Sequence, residues 1–283
     1  MEEKKLDINS IIGFILIFGI LLFMMWQNAP SEEELKAQEA EKQAKIDAQK
    51  KAEAKQADTK VVTEEDFTEA KDSAQVAVLQ SKIGDFAYSA ATATSSEKEI
   101  EVQNEVLDLK FNTKGGHLSE VKLKQFVDFN AVPIYLVKDG NSVFNLQFQT
   151  TDNRTLNTKD LYFQPTVTKS GENTVVSMKL KTAADKYIEY NYVIKPNEYM
   201  VDFTIKSQGI ETNINTSNPI TLDWTQKTYR HDQSISYENR YTRLTYQTDG
   251  DVDKLSQMSD DDETVDEVDW LIYRQHFFSS ILM

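Results

Sequence analysis

Three histidines, His117, His231 and His276, are the side chains best suited to acid–base or metal chemistry in this chain, and they stand far apart, with no HExxH or other paired ligand spacing. Cysteine is absent, which removes thiol nucleophiles, disulfides and cysteine metal sites from consideration. The densest carboxylate run extends from Asp249 to Asp269, with ten acidic residues and one lysine, and carries Asp260-Asp261-Asp262-Glu263 at its centre. Clustered carboxylates suit a hard cation such as calcium, but the EF-hand spacing with its central Gly and closing Glu is missing; the run is expected to be a mobile, solvated loop. Thr113-Lys114-Gly115-Gly116 joins two glycines to a lysine without the spacing or following helix of a phosphate cradle, and reads as a turn. No GxSxG elbow, Walker loop or GxGxxG after a strand occurs. Asp and Glu are too abundant for a glycosidase-type pair to be singled out. No catalytic, cofactor-binding or metal-ligating residue is therefore assigned, and no cofactor is expected.

Any site in this chain would have to be positioned by strands. From about Glu99 onward the apolar residues recur with a period of two: Leu107, Leu109 and Phe111, then the Lys114-Gly115-Gly116 turn, then Leu118, Val121 and Leu123. The pattern returns in Leu146 and Phe148, in Val176, Met178 and Leu180, in Ile188, Tyr190, Tyr192 and Ile194, and in Tyr199, Val201, Phe203 and Ile205. Lys195-Pro196-Asn197-Glu198 is a hairpin turn with Pro at its second position. Many short strands with one apolar face each must pair those faces, which predicts a mainly β sandwich or barrel over 99–283. Gly115 or Gly116 is expected to take a positive φ.

Upstream the chemistry changes. Ile11 to Trp26 holds no charged or strongly polar residue, and eleven of its sixteen residues are Ile, Leu or Phe. Extended to Ile8 as a helix it would span roughly 28 Å, close to the hydrocarbon thickness of a bilayer. Gln27 and Pro30 fit poorly with a cleavage site, so residues 1–30 read as an uncleaved signal anchor with its N-terminus in the cytoplasm. Residues 31–98 read as a charged tether and loop, in which Ala74 to Ile83 is expected to form a short helix and Ser89 to Ser96 a loop. The formal charge of −15 argues against a nucleic-acid partner, which requires a basic face.

Three motifs in order, Val106 to Leu123, Tyr190 to Gly209 and Val268 to Phe278, behind such an anchor resemble the N-terminal part of bacterial members of the YidC/Oxa/Alb family of membrane protein insertases. Asn112, Thr113, Gly115 and Gly116 match an N-T-x-GG hairpin, Tyr199 a Tyr after the second turn, and Trp270, Gln275, Phe277 and Phe278 a Trp followed by a Gln-x-aromatic-Phe element. The resemblance implies an incomplete periplasmic β-supersandwich of mutarotase-like shape, held at the inner membrane by its anchor, without bond chemistry of its own. It further implies nascent inner-membrane proteins as clients, and the lipid bilayer and the Sec translocon (SecYEG, SecDF) as partners. The apolar residues from Trp270 to Leu282 are expected to lie in the domain interior, with further strands and the insertase helices following Met283. The competing reading is a membrane-anchored carbohydrate-binding or aldose-epimerase-like protein. That chemistry needs a histidine and a carboxylate converging in a cleft, and His231 is the candidate.

Overall fold

The computed structural model describes residues 60–61, 73–92 and 98–283. The expected anchor at 1–30 lies outside the described residues; among those described, no helix is long and apolar enough to cross a membrane. Lys60–Val61 forms β1, and Ser73–Ile83 and Ala87–Thr92 form helices α1 and α2, joined by a 3-10 turn at Gly84–Phe86. The strands β2 (Glu99–Gln103), β3 (Leu107–Asn112), β4 (Leu118–Val127) and β5 (Pro133–Val137) then make an antiparallel meander. After β6 (Ser142–Gln149) and β7 (Arg154–Asn157), a second meander runs through β8 (Gln164–Ser170), β9 (Asn173–Lys181), β10 (Tyr187–Ile194) and β11 (Val201–Gln208). β12 (Thr221–Gln226) pairs with β6, and β1 runs parallel to β7, giving a third sheet in the order β1-β7-β6-β12. Helix α3 (Ile235–Tyr241) leads into a fourth sheet, ordered β14-β13-β15-β16, from β13 (Arg243–Thr248), β14 (Asp251–Lys254), β15 (Trp270–Arg274) and β16 (Ser279–Leu282).

The strongest alternation in the sequence makes the core. Buried and half-buried residues alternate without a break along β3, β9 and β10. Tyr192 packs on Phe111 with ring centroids 4.8 Å apart, and Tyr190 meets Phe144 edge-on at 5.9 Å, so the second sheet faces both the first and the third. The result is a mainly β, sandwich-type domain. Fully burying an aromatic such as Phe111 contributes about 1.5–3 kcal/mol. The polar tips buried with these rings are satisfied: Tyr190 Oη donates to Thr158 Oγ1 at 3.1 Å, and Tyr192 Oη to the Gly116 carbonyl at 3.0 Å. Burial pushes both phenols well above their ordinary values.

The first hairpin explains an irregularity in the sequence. Leu118 and Val121 are three residues apart, which breaks a period of two, and the register of β3 against β4 shifts there: Lys110 pairs with Glu120, but Phe111 pairs with Leu118. Ser119 is the extra residue of a bulge, so the apolar set on both sides of it keeps to one face. Gly115 and Gly116 both take positive φ, 83° and 66°. In the second hairpin the positive φ falls on Asn197, at 54°.

Three expectations are corrected. Ser89 to Thr92 belongs to α2, not to a loop, and Leu79, Ile83, Phe86, Ala87 and Ala90 are part of the core. The core therefore begins upstream of residue 99, because these small and apolar residues cap the end of β6, where Phe86 lies 5.1 Å from Phe148. The acidic run is not a loop throughout, since Asp251–Lys254 pairs with β13 and Tyr246 donates to Glu263. Nor do Trp270 to Met283 lie in the interior: Gln275 alone is buried, Trp270 to Tyr273 are half-buried, and Phe277 is 66% exposed. They form the fourth sheet, which is tied to the sandwich at few points, among them Tyr273 Oη donating to the Trp224 carbonyl at 2.7 Å and the half-buried Phe278 packing against the core.

Candidate functional site

The Asn112 to Gly116 turn is a structural knot. Asn112 Oδ1 accepts from the Lys114 amide at 2.9 Å, and Thr113 Oγ1 accepts from the Lys98 amide at 2.9 Å. The Gly115 amide donates to the Leu161 carbonyl at 2.8 Å, and the Phe163 amide to the Thr113 carbonyl at 2.8 Å. This motif therefore fixes one corner of the sandwich through its backbone, and Lys114 itself forms an isolated antiparallel bridge with Tyr162.

The histidines are not brought together into one acid–base centre. His117 lines one cleft, His231 borders a second, and His276 sits in an aromatic stack against Tyr241, 4.6 Å between centroids. Around His231 the carboxylates are already engaged. Glu238, buried in α3, accepts from the His231 amide at 2.8 and 3.1 Å and from the Asp232 amide at 3.3 Å. Asp128 accepts from the amides of Asn130 and Val132 at 2.8 and 2.9 Å, and Asp232 Oδ2 lies 2.6 Å from His276 Nδ1. The imidazole of His231 stands edge-on to Phe278, and its Nε2 has no hydrogen-bond partner among the described residues.

Burial lowers the His231 pKa from its ordinary value, with Glu238, Asp128 and Asp232 opposing the shift. A base whose folded-state pKa is depressed contributes stability above its unfolded value of about 6.5, and that contribution is lost as pH falls through the folded-state value. The urea midpoint should therefore drop less between pH 7 and pH 5 in His231→Asn than in the unsubstituted chain. Parallel pH profiles would show that the imidazole is not the titrating group.

Apolar side chains do converge. A cleft of about 240 Å³ opens between the first, second and third sheets, lined by Leu107, Phe144, Tyr192, Phe203 and Trp224, with Leu282 of β16 along one side. A larger cleft of about 740 Å³ adjoins it, and the two share Leu107, Val121, Leu136, Tyr199, Met200 and Ser279. Phe126, Phe129 and Phe277 stand at its rim, 42%, 45% and 66% exposed. The Gln-x-aromatic element holds this rim: Gln275 Nε2 donates to the Tyr229 carbonyl at 2.9 Å, its amide to the Phe278 carbonyl at 2.8 Å, and Phe278 meets Phe126 at 5.5 Å. Tyr199 closes the other side, donating to Gln125 Oε1 at 3.1 Å. Glu238 and Asp232 were missed at the sequence level; the helix start at Ser234, which caps the Tyr237 amide, is the one local signal that α3 precedes the last sheet.

This geometry defines a β-sandwich domain with an apolar groove between its sheets. The chain belongs to the YidC family: residues 99–283 match the YidC periplasmic domain, and all three motifs fall within that match. It is 32% identical over 282 residues to the membrane protein insertase YidC of Porphyromonas gingivalis, covering 98% of this chain and 44% of that protein. The corresponding protein of Parabacteroides distasonis is 31% identical over 284 residues, and that of Phocaeicola vulgatus 32% over 284 residues, each again over 98% of this chain. The chain thus spans less than half the length of these relatives, 44% and 43% in the latter two.

Proposed function

We propose that this chain is the N-terminal region of a membrane protein insertase and chaperone of the inner membrane. The observation that carries the reading is the collinear similarity to proteins named as insertases over 98% of the chain, from the apolar N-terminal run to the last strand. In this reading residues 1–30 anchor the chain with its N-terminus in the cytoplasm, the charged residues after them act as a tether, and the β domain stands in the periplasm as a supersandwich of mutarotase-like shape. Clients are nascent inner-membrane proteins, received alone or beside the Sec translocon, and no bond is turned over. The physical task is to lower the cost of moving polar groups into hydrocarbon, several kcal/mol for each unsatisfied group. That task falls to segments of the family beyond the length spanned here.

The reading predicts a division of labour. In cells depleted of their own insertase, residues 1–283 alone should not restore insertion of a client, whereas the same residues followed by the remainder of the Porphyromonas gingivalis relative should. Rescue by residues 1–283 alone would place the activity in the wrong part of the protein, and failure of a stably expressed chimera would count against the insertase reading itself.

A further inference from the structure

The fourth sheet sorts its charges by face. Direct neighbours across antiparallel strands point to the same side, and Arg243 of β13 stands opposite Arg274 of β15. Lys254 of β14, opposite Thr245, lies on that side as well. Along the same face run Val252, Trp270, Ile272 and Ile281, of which Val252 is 61% and Ile281 41% exposed. The strands place no carboxylate there. Asp251 and Asp253 point the other way, as does Tyr246, which donates to Glu263, so the acidic run is drawn toward the opposite side.

Two guanidinium groups directly across a ladder repel one another. In a chain of net charge −15 they would be expected to have drawn in a carboxylate, yet none of Arg240, Arg243, Arg274 or Lys254 forms an ion pair among the described residues. Arg243 Nη2 instead donates to the Arg240 carbonyl at 3.1 Å, which brings the end of α3 to the same place. Four of the five arginines of the chain fall between residues 230 and 274.

We propose that this face docks on the anionic lipid headgroups of a bilayer, with the arginine pair and Lys254 against phosphates and Trp270, Ile272, Ile281 and Val252 at the headgroup boundary. Basic residues beside Trp and branched aliphatics are what a membrane interface selects. A free phosphate would satisfy the arginines but leave that apolar row facing water. Asp251 and Asp253, exposed on the edge strand β14 and turned the other way, orient the domain, since an anionic surface repels them. The inference rests on the membrane-anchored reading only in that an anchor holds the sheet near lipid.

The full chain, one copy per lipid nanodisc, tests it. Quenching of Trp270 by bromine-labelled phosphatidylcholine is read as the difference between the unsubstituted chain and Trp270→Phe. In discs that also contain phosphatidylglycerol about half or more of the Trp270 emission should be quenched, against little in phosphatidylcholine alone, because each basic residue at an anionic surface adds roughly fivefold to binding. The double variant Arg243→Glu/Arg274→Glu, with an unchanged melting curve, should lose the quenching. Equal quenching in both lipids, none in either, or quenching that survives the double variant would overturn the proposal. So would stabilisation by inorganic phosphate without any quenching, which would mark a site for a free anion. A chain that fails to co-elute with discs but is quenched by added anionic vesicles would retain the docking face and reject the anchor.

Discussion

Gly116→Val is expected to lower the unfolding free energy by about 2–5 kcal/mol, combining strain with overpacking. The glycine sits at φ +66°, and a Cβ there would lie 2.7 Å from the Phe163 ring. Left-handed backbone costs a β-branched residue about 1–2 kcal/mol. The clash adds about 1–3 kcal/mol because Phe163 is fully buried and cannot swing away. Gly140 provides the comparison: its φ is +72°, but nothing lies within 4 Å of its Cβ position, so Gly140→Val should show the strain alone. Equal losses at the two positions, by urea unfolding, would mean that the corner formed by Thr113 and Phe163 does not depend on the close approach of Gly116.

Removing the helices should have a still larger effect. Leu79, Ile83 and Phe86 are each no more than 2% exposed, and burying three such side chains contributes about 5–9 kcal/mol. A domain of this kind is stable by only about 5–15 kcal/mol in total. A chain beginning at Lys98 is therefore expected to unfold without a sharp transition and to bind a hydrophobic dye, while one beginning before Lys60 should melt cooperatively. The family match begins at residue 99, yet the core begins with α1. If the shorter chain melts like the longer one, the helices are an accessory and not part of the core.

How much of this was legible depended on how one-sided each element is. β3, β9 and β10 each bury one face completely, so their alternation stood out in the sequence. β8 and β12 are mostly exposed on both sides, and β15 carries apolar residues at successive positions with both faces half-covered, so neither period emerged. α2 was hidden for a different reason. Its Ser, Ala and Thr composition resembles a loop locally, and what holds it in place is tertiary, including Ser89 Oγ donating to the Tyr162 carbonyl at 2.7 Å. The motifs marked the corners that shape the groove, Gly116 beneath Tyr192 and Gln275 against Tyr229. The groove itself could not be read, because Leu107, Phe144, Phe203 and Leu282 meet only after four sheets have assembled.

A folded β domain of the YidC family is proposed to stand outside the cytoplasm on a membrane anchor. Limited proteolysis of intact spheroplasts making residues 1–283, with fragments identified by mass, tests this most directly. The expected result is cleavage by external protease within the charged segment after Pro30, leaving a short membrane-held N-terminal piece and a resistant soluble fragment that begins upstream of α1. Protection of the whole chain until the membrane is breached, or a mature N-terminus already cut near Ala29, would contradict it.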